Sequence, residues 1–150
     1  MPEDDLKRVL GIDFGSRRIG VAVSDPLFLM ASPLITLPND NLLTKNLKKI
    51  ISDKNIILII LGYPFKDDGT ASSNAGDIIK FKNRLEHHFK LEIILWDERY
   101  TSEMAKDLII AGVPKKSSRR EKGLIDRGAA AIMLQEFLDA KREELKKIYL

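Results

Sequence analysis

Cysteine is absent from this 150-residue chain. That excludes disulfide staples and thiolate-held metals, and it fits a reducing, cytoplasmic setting. Histidine is scarce: His87 and His88 are the only two. They sit in a segment that reads as helix, where solvated or structural roles suit them. No apolar run approaches the roughly 20 residues of a membrane span. The opening, Met1 to Arg8, is charged before any apolar run begins, unlike a secretory leader. Internal repeats and low-complexity linkers are missing. Nor is one sign of charge in large excess. The 25 basic and 22 acidic residues give +3, too mild a balance to identify a polyanionic partner by itself. Length and composition predict one domain over 1–150, with a core spanning about 8–140 and a charged C-terminal tail.

What is present is a change of hydrophobic period along the chain. Arg8 to Phe14 and Ile19 to Val23 read as two strands, close enough in sequence to form an antiparallel hairpin. Leu34 to Leu37 reads as a short third strand after Pro33. Leu43, Leu47, Ile50 and Ile51 then recur at helical spacing, with Asn39 or Asp40 as candidate caps. The unbroken run Ile56 to Leu61 has the pattern of a strand buried on both faces. A helix carrying Ile78, Phe81 and Leu85 follows, then a strand from Leu91 to Trp96. Thr101 or Ser102 can cap a further helix that Gly112 and Pro114 end. The last helix is expected from Gly123 or Leu124 onward. This order predicts an α/β fold: a mixed five-stranded sheet, antiparallel at its start and joined by parallel crossovers, flanked by helices.

Strand ends carry the chemistry. Gly11-Ile12-Asp13-Phe14-Gly15-Ser16 places a carboxylate where the first strand runs out, with Gly15 permitting close backbone approach. A strand-end Asp can simply cap a turn. Here, however, Asp97 and Glu98 end the last strand, and parallel strands deliver their C-terminal ends to one edge. Asp126 lies about one turn inside the final helix, followed by the small residues Gly128, Ala129 and Ala130, which would let that helix approach the sheet closely. If it docks near the first strand, three carboxylates meet. Such a group is stable when a hard cation neutralises it, and Mg²⁺ or Mn²⁺ prefers oxygen ligands of this kind. Two such ions can activate water and stabilise the leaving oxygen in phosphodiester hydrolysis. Lys115, Lys116, Arg119, Arg120 and Lys122 cluster in one segment that reads as a loop over 114–123. It is either solvated or an electrostatic contact to phosphates, closing on nucleic acid.

With these residues in view, the chain resembles the YqgF/RuvX family of pre-16S rRNA nucleases, also described as Holliday-junction-resolvase-like proteins. The matching stretches are Leu10 to Gly15, Ile19 to Asp25, Gly62-Tyr63-Pro64 with Asp68-Gly69-Thr70, Trp96 to Thr101, and Lys122-Gly123 through Asp126 to Ala130. They run in order from about Val9 to Leu138. The resemblance implies an RNase H-like fold and a divalent-metal site on Asp13, Glu98 and Asp126, serving as both ligands and catalytic groups. Only one of the adjacent pair Asp97 and Glu98 should face the metal, which leaves Asp97 to hold Arg99. Arg17, Arg18, Arg99, the Asp68-Gly69-Thr70 loop and Lys122 would meet phosphate. Arg127 departs from the family pattern and adds bulk and charge beside the site. The implied substrate is precursor 16S rRNA trimmed at its 5′ end, with ribosomal particles as partners and no membrane, in a monomer or homodimer.

Three other readings are distinguishable. A Holliday junction resolvase acting on branched DNA would present two sites in a dimer. A non-catalytic nucleic-acid-binding module would use the basic segment and have no need of the carboxylates. A sugar-kinase-like nucleotide lobe fits Asp13 to Ser16, but a second lobe would be needed to close over ATP.

Overall fold

The computed structural model describes residues 6–64, 75–97 and 118–150, apart from the side chains of 118–122. Strands β1 (Arg8–Phe14) and β2 (Arg18–Ser24) form the expected antiparallel hairpin, with Asp13 opposite Gly20 and Phe14 opposite Ile19. The turn is tight: a Cβ on Gly15 would lie 2.4 Å from the Arg18 carbonyl oxygen. The close approach at Gly15 is therefore made within the hairpin. Asn39 fastens the same turn, its backbone N–H donating to the Arg17 carbonyl at 2.9 Å and its side-chain amide to the Gly15 carbonyl at 2.9 Å.

Strand β3 (Ala31–Pro38) is longer than the Leu34–Leu37 segment expected. Among the described residues it pairs with β2 alone, at the sheet edge. Pro33 is tolerated there because an edge strand has a side that needs no ladder donor. Helix α1 (Leu43–Asp53) begins where its apolar spacing predicts, but neither cap candidate serves. Its N-cap is Leu42, without a side-chain hydrogen bond. Asn39 is committed to the hairpin, and Asp40 accepts from the Leu42 N–H at 2.9 Å, shaping the turn before the helix.

Strand β4 (Ile56–Tyr63) lies parallel to β1 on one side and to β5 (Glu92–Asp97) on the other, giving the order β3-β2-β1-β4-β5. Its apolar residues face both ways because both faces are covered. On one face Leu10, Ile12, Ile59, Leu61 and Ile93 pack with Leu43 and Leu47 of α1 and with Ile78, Phe81 and Leu85 of α2 (Ala75–Phe89). On the other, Val9, Ala22, Leu58 and Ile60 pack against Ala130, Met133, Leu134, Phe137 and Leu138 of α3 (Ser118–Tyr149). The five-stranded mixed sheet with its antiparallel start and parallel crossovers is the expected one.

Helix α3 corrects the reading of the basic segment. It starts at Ser118, not near Gly123, so Arg119, Arg120 and Lys122 lie in its first turns. Gly123 has the character of a helix boundary, but Arg, Glu and Lys are good helix formers and carry the helix through one glycine. The tail is likewise more than a solvated extension. Leu145 is buried, Arg142 donates to the Phe28 carbonyl at 2.9 Å, and the Tyr149 ring meets Phe28 edge-on. The expected helix from Thr101 to Gly112 and the Lys66 to Ser73 loop lie outside the described residues.

Candidate functional site

The side of the sheet to which each strand residue points is fixed by alternation. In β1, Leu10 and Ile12 join the α1/α2 core, whereas Val9 joins the α3 core. Asp13 shares the parity of Val9 and so stands on the α3 side, at the C-terminal end of β1. At Gly11, two residues before it, α3 passes close over β1: a Cβ there would meet Leu134 Cβ at 2.9 Å and the Ala130 carbonyl at 3.3 Å.

Asp13 faces Gly20 across the hairpin. Opposed residues of antiparallel strands have their Cα atoms about 4.5–5.5 Å apart. Gly20 in turn lies directly under α3. A Cβ on Gly20 would sit 2.0 Å from the Asp126 carbonyl oxygen and 2.8 Å from the Arg127 amide nitrogen. The helix backbone at residue 126 thus rests on the strand residue opposite Asp13. One strand further, Gly20 pairs with Thr36. The Thr36 hydroxyl donates to the Gly123 carbonyl at 2.6 Å and accepts from Arg127 at 3.3 Å. The row Asp13, Gly20, Thr36 therefore seats one turn of α3. Arg127, expected beside the carboxylates, points along that row to β3.

The Asp126 backbone lies over Gly20, the residue opposite Asp13 across the hairpin. Asp126 lies about two turns into α3, deeper than expected because the helix starts early. Arg18 donates from Nε to Asp126 Oδ2 at 2.8 Å. Arg17 is exposed in the turn. His87 and His88 are exposed on α2, on the far side of the sheet. Glu98, Arg99, Lys115 and Lys116 lie outside the described residues. Arg119, Arg120 and Lys122 are placed by backbone alone, on the turns of α3 before the seat.

Asp97 ends β5. Ile93 and Leu95 belong to the α1/α2 side and Ile94 and Trp96 to the α3 side, so alternation puts Asp97 opposite in parity to Trp96. One acidic residue escaped the sequence reading. Glu136, on α3, accepts a hydrogen bond from Trp96. Burial raises its pKa above the ordinary glutamate value of 4.5, the negative charge of Asp97 raises it further, and the Trp96 bond opposes both. The available signal was Trp96 itself, whose indole N–H needs an acceptor when the ring is packed against Phe137.

Carboxylate oxygens at Asp13 and Asp126 are the donors that a hard divalent cation takes. The site also calls for positive charge, since Arg18 is drawn onto Asp126. Among the described residues no group of three His, Cys, Asp or Glu is assembled that could hold a metal ion.

Comparison with known proteins gives the family and the fold. Residues 7–140 match the family model described as RuvX: Holliday junction resolvase. A protein of Chlorobaculum tepidum named "Putative pre-16S rRNA nuclease" is 38% identical over 141 residues, covering 93% of this chain and 99% of its own length. One of Geobacillus kaustophilus with the same name is 37% identical over 139 residues, covering 90% and 99%. Among solved structures, the Fowlpox virus resolvase with Holliday junction DNA superposes with a TM-score of 0.56 at 12% identity, covering 89% of this chain and 97% of that one. Thermus thermophilus RuvC with a Holliday junction substrate gives 0.53 at 12% identity, covering 90% and 95%. At such identities these two structures show the fold, which is RNase H-like.

Proposed function

The chain belongs to the RuvX family, and on that premise we propose that it is a divalent-metal-dependent nuclease trimming the 5′ end of precursor 16S rRNA at the edge where β1 meets α3. Hydrolysis of phosphodiester bonds is the activity its relatives' names carry. The observation that supports this location most is the seating of Asp126 on Gly20, opposite Asp13.

In this reading Asp13, Glu98 and Asp126 hold Mg²⁺ or Mn²⁺. When bound, the ion supplies Lewis-acid stabilisation and activates water. The chain's own part is to hold the carboxylates: Asp13 by strand pairing and Asp126 by a helix pinned through its backbone, while Glu98 is next in sequence after β5. Arg17, Arg18, Arg99, Lys115, Lys116, Arg119, Arg120 and Lys122 provide the cations for the substrate's phosphates. Asp97 is left out of the metal set on its strand parity. We place the protein in the cytoplasm, acting on rRNA in ribosomal particles as a single domain. Among the described residues, no helix is long and apolar enough to cross a membrane.

Cleavage of a labelled precursor 16S 5′-leader RNA with Mn²⁺ or Mg²⁺ tests this. Wild type should cut, and Asp13→Asn should lose about a hundredfold or more in rate, in line with electrostatic groups at such centres, while still binding the RNA. A wild type that binds and never cuts with any divalent ion would make the protein a binding module. The resolvase reading is favoured by the family description and by neighbours solved on four-way junctions. A labelled junction in the same assay, with sedimentation to read monomer or dimer, separates it: symmetric cutting of the junction by a dimer, with the leader RNA left intact, would replace the rRNA reading.

A further inference from the structure

Arg18 is the cation paired with Asp126 among the described residues, through Nε to Oδ2 at 2.8 Å, with side chains 36% and 25% exposed. Asp13 ends β1 on the same side of the sheet, opposite the Gly20 on which the Asp126 backbone rests. A cation beside a carboxylate favours its charged form, and among the described residues Arg18 stands in that place at Asp126. Its charge cannot be shed, because a guanidinium stays protonated at any working pH. If the charge is to leave Asp126, the side chain must move. The backbone beneath it is fixed: the Arg18 carbonyl lies against Gly15, and Asn39 ties down the turn from both Gly15 and Arg17. Exchange therefore needs rotation of one half-exposed side chain and nothing more. A pair of this exposure is weak enough to exchange.

Resting on the metal reading given above, we propose that Arg18 is a displaceable internal cation. It neutralises Asp126 in the metal-free protein and competes with the divalent ion for that carboxylate. The ion's arrival releases the guanidinium toward the substrate phosphate. Arg18 is thus a positioning residue, and it lowers metal affinity in the absence of substrate.

The experiment is Mn²⁺ titration of the full chain without nucleic acid, read by electron paramagnetic resonance of the free ion. It uses wild type, Asp126→Asn, Arg18→Gln and Arg17→Gln, each shown to be folded by near-ultraviolet circular dichroism. Arg18→Gln is expected to bind Mn²⁺ about two- to fivefold more tightly, the worth of a partly exposed ion pair. Arg17→Gln removes the same charge one residue away and is expected to match wild type. Asp126→Asn is expected to bind at least about tenfold more weakly, as loss of a ligand requires. Should Arg18→Gln fail the folding check, Arg18→Lys replaces it. That variant keeps the charge but lacks Nε, and it is expected to bind Mn²⁺ more tightly than wild type by a smaller factor. Arg18 variants that bind Mn²⁺ no better than wild type, with Asp126→Asn still weakened, overturn the competition and leave the metal site standing. Equal gains in Arg18→Gln and Arg17→Gln also overturn it, since bulk charge would then account for the effect. Wild-type affinity in Asp126→Asn overturns the metal reading itself, and the competition with it.

Discussion

Gly20 shows how much one hydrogen atom can decide. Any larger side chain would drive a Cβ into the Asp126 carbonyl, 2.0 Å away, and a helix backbone cannot bend aside as a flexible side chain can. Gly20→Ala is therefore expected to destabilise the fold by about 3 kcal/mol, the upper end for overpacking a tight contact. It should also weaken Mn²⁺ binding, because α3 must lift. Urea unfolding and a metal titration on the same variant check both. Glu136 gives a residue-scale prediction of opposite sign. Its pKa is raised in the folded state, by burial first and then by Asp97. The folded chain then binds the proton more tightly than the unfolded chain does. Ionising Glu136 costs stability, which falls as pH climbs from below the ordinary value through the raised one. Glu136→Gln cannot ionise and still offers Trp96 an acceptor oxygen. It should unfold at higher urea concentration than wild type at neutral pH, and the difference should vanish below the ordinary value of 4.5. An advantage that persists in acid would mean that the gain is not electrostatic.

At the scale of elements, the sequence was most legible where period and packing agree. The β1–β2 hairpin, the doubly buried β4 and the amphipathic α1 follow directly from apolar spacing. Boundaries failed where a local signal had a competing use. Asn39 has the chemistry of a helix cap, but the hairpin turn takes both its backbone and its amide. Gly123 looks like a helix start, but the chain is already helical there and its carbonyl is capped by Thr36 from another strand. That partner is 87 residues away, and no local window contains it. The early start of α3 has a measurable consequence, because Arg119, Arg120 and Lys122 ride on a helix whose next turns are seated at the carboxylates. Replacing all three with Gln should reduce the salt slope of single-stranded RNA binding by up to about 2, at roughly 0.7 for each phosphate left unneutralised. Fluorescence anisotropy over a range of KCl concentrations measures it, and an unchanged slope would place these cations away from the RNA.

For the molecule as a whole, the make-up of the sheet was accessible: its five strands, its antiparallel start and its parallel crossovers follow from the order of apolar runs. Parallel strands deliver their C-terminal ends to one edge, and that rule is what led to the proposed site. What could not be read was the means by which α3 is held. The small residues after Asp126 hinted at close packing, but the decisive gaps are in the sheet, at Gly11 and Gly20, and which glycine lies beneath which helical turn depends on register. The pairing of Arg18 with Asp126 was hidden for the same reason, since it spans 108 positions. That span bears on the timing of biosynthesis. A nascent chain carries Asp13 and Arg18 long before Asp126, which lies 108 positions after Arg18 and is translated only after all five described strands. No truncated product ending before α3 can assemble the proposed centre, so a cell translating this nuclease is shielded from unfinished copies of it by the order in which the residues are made.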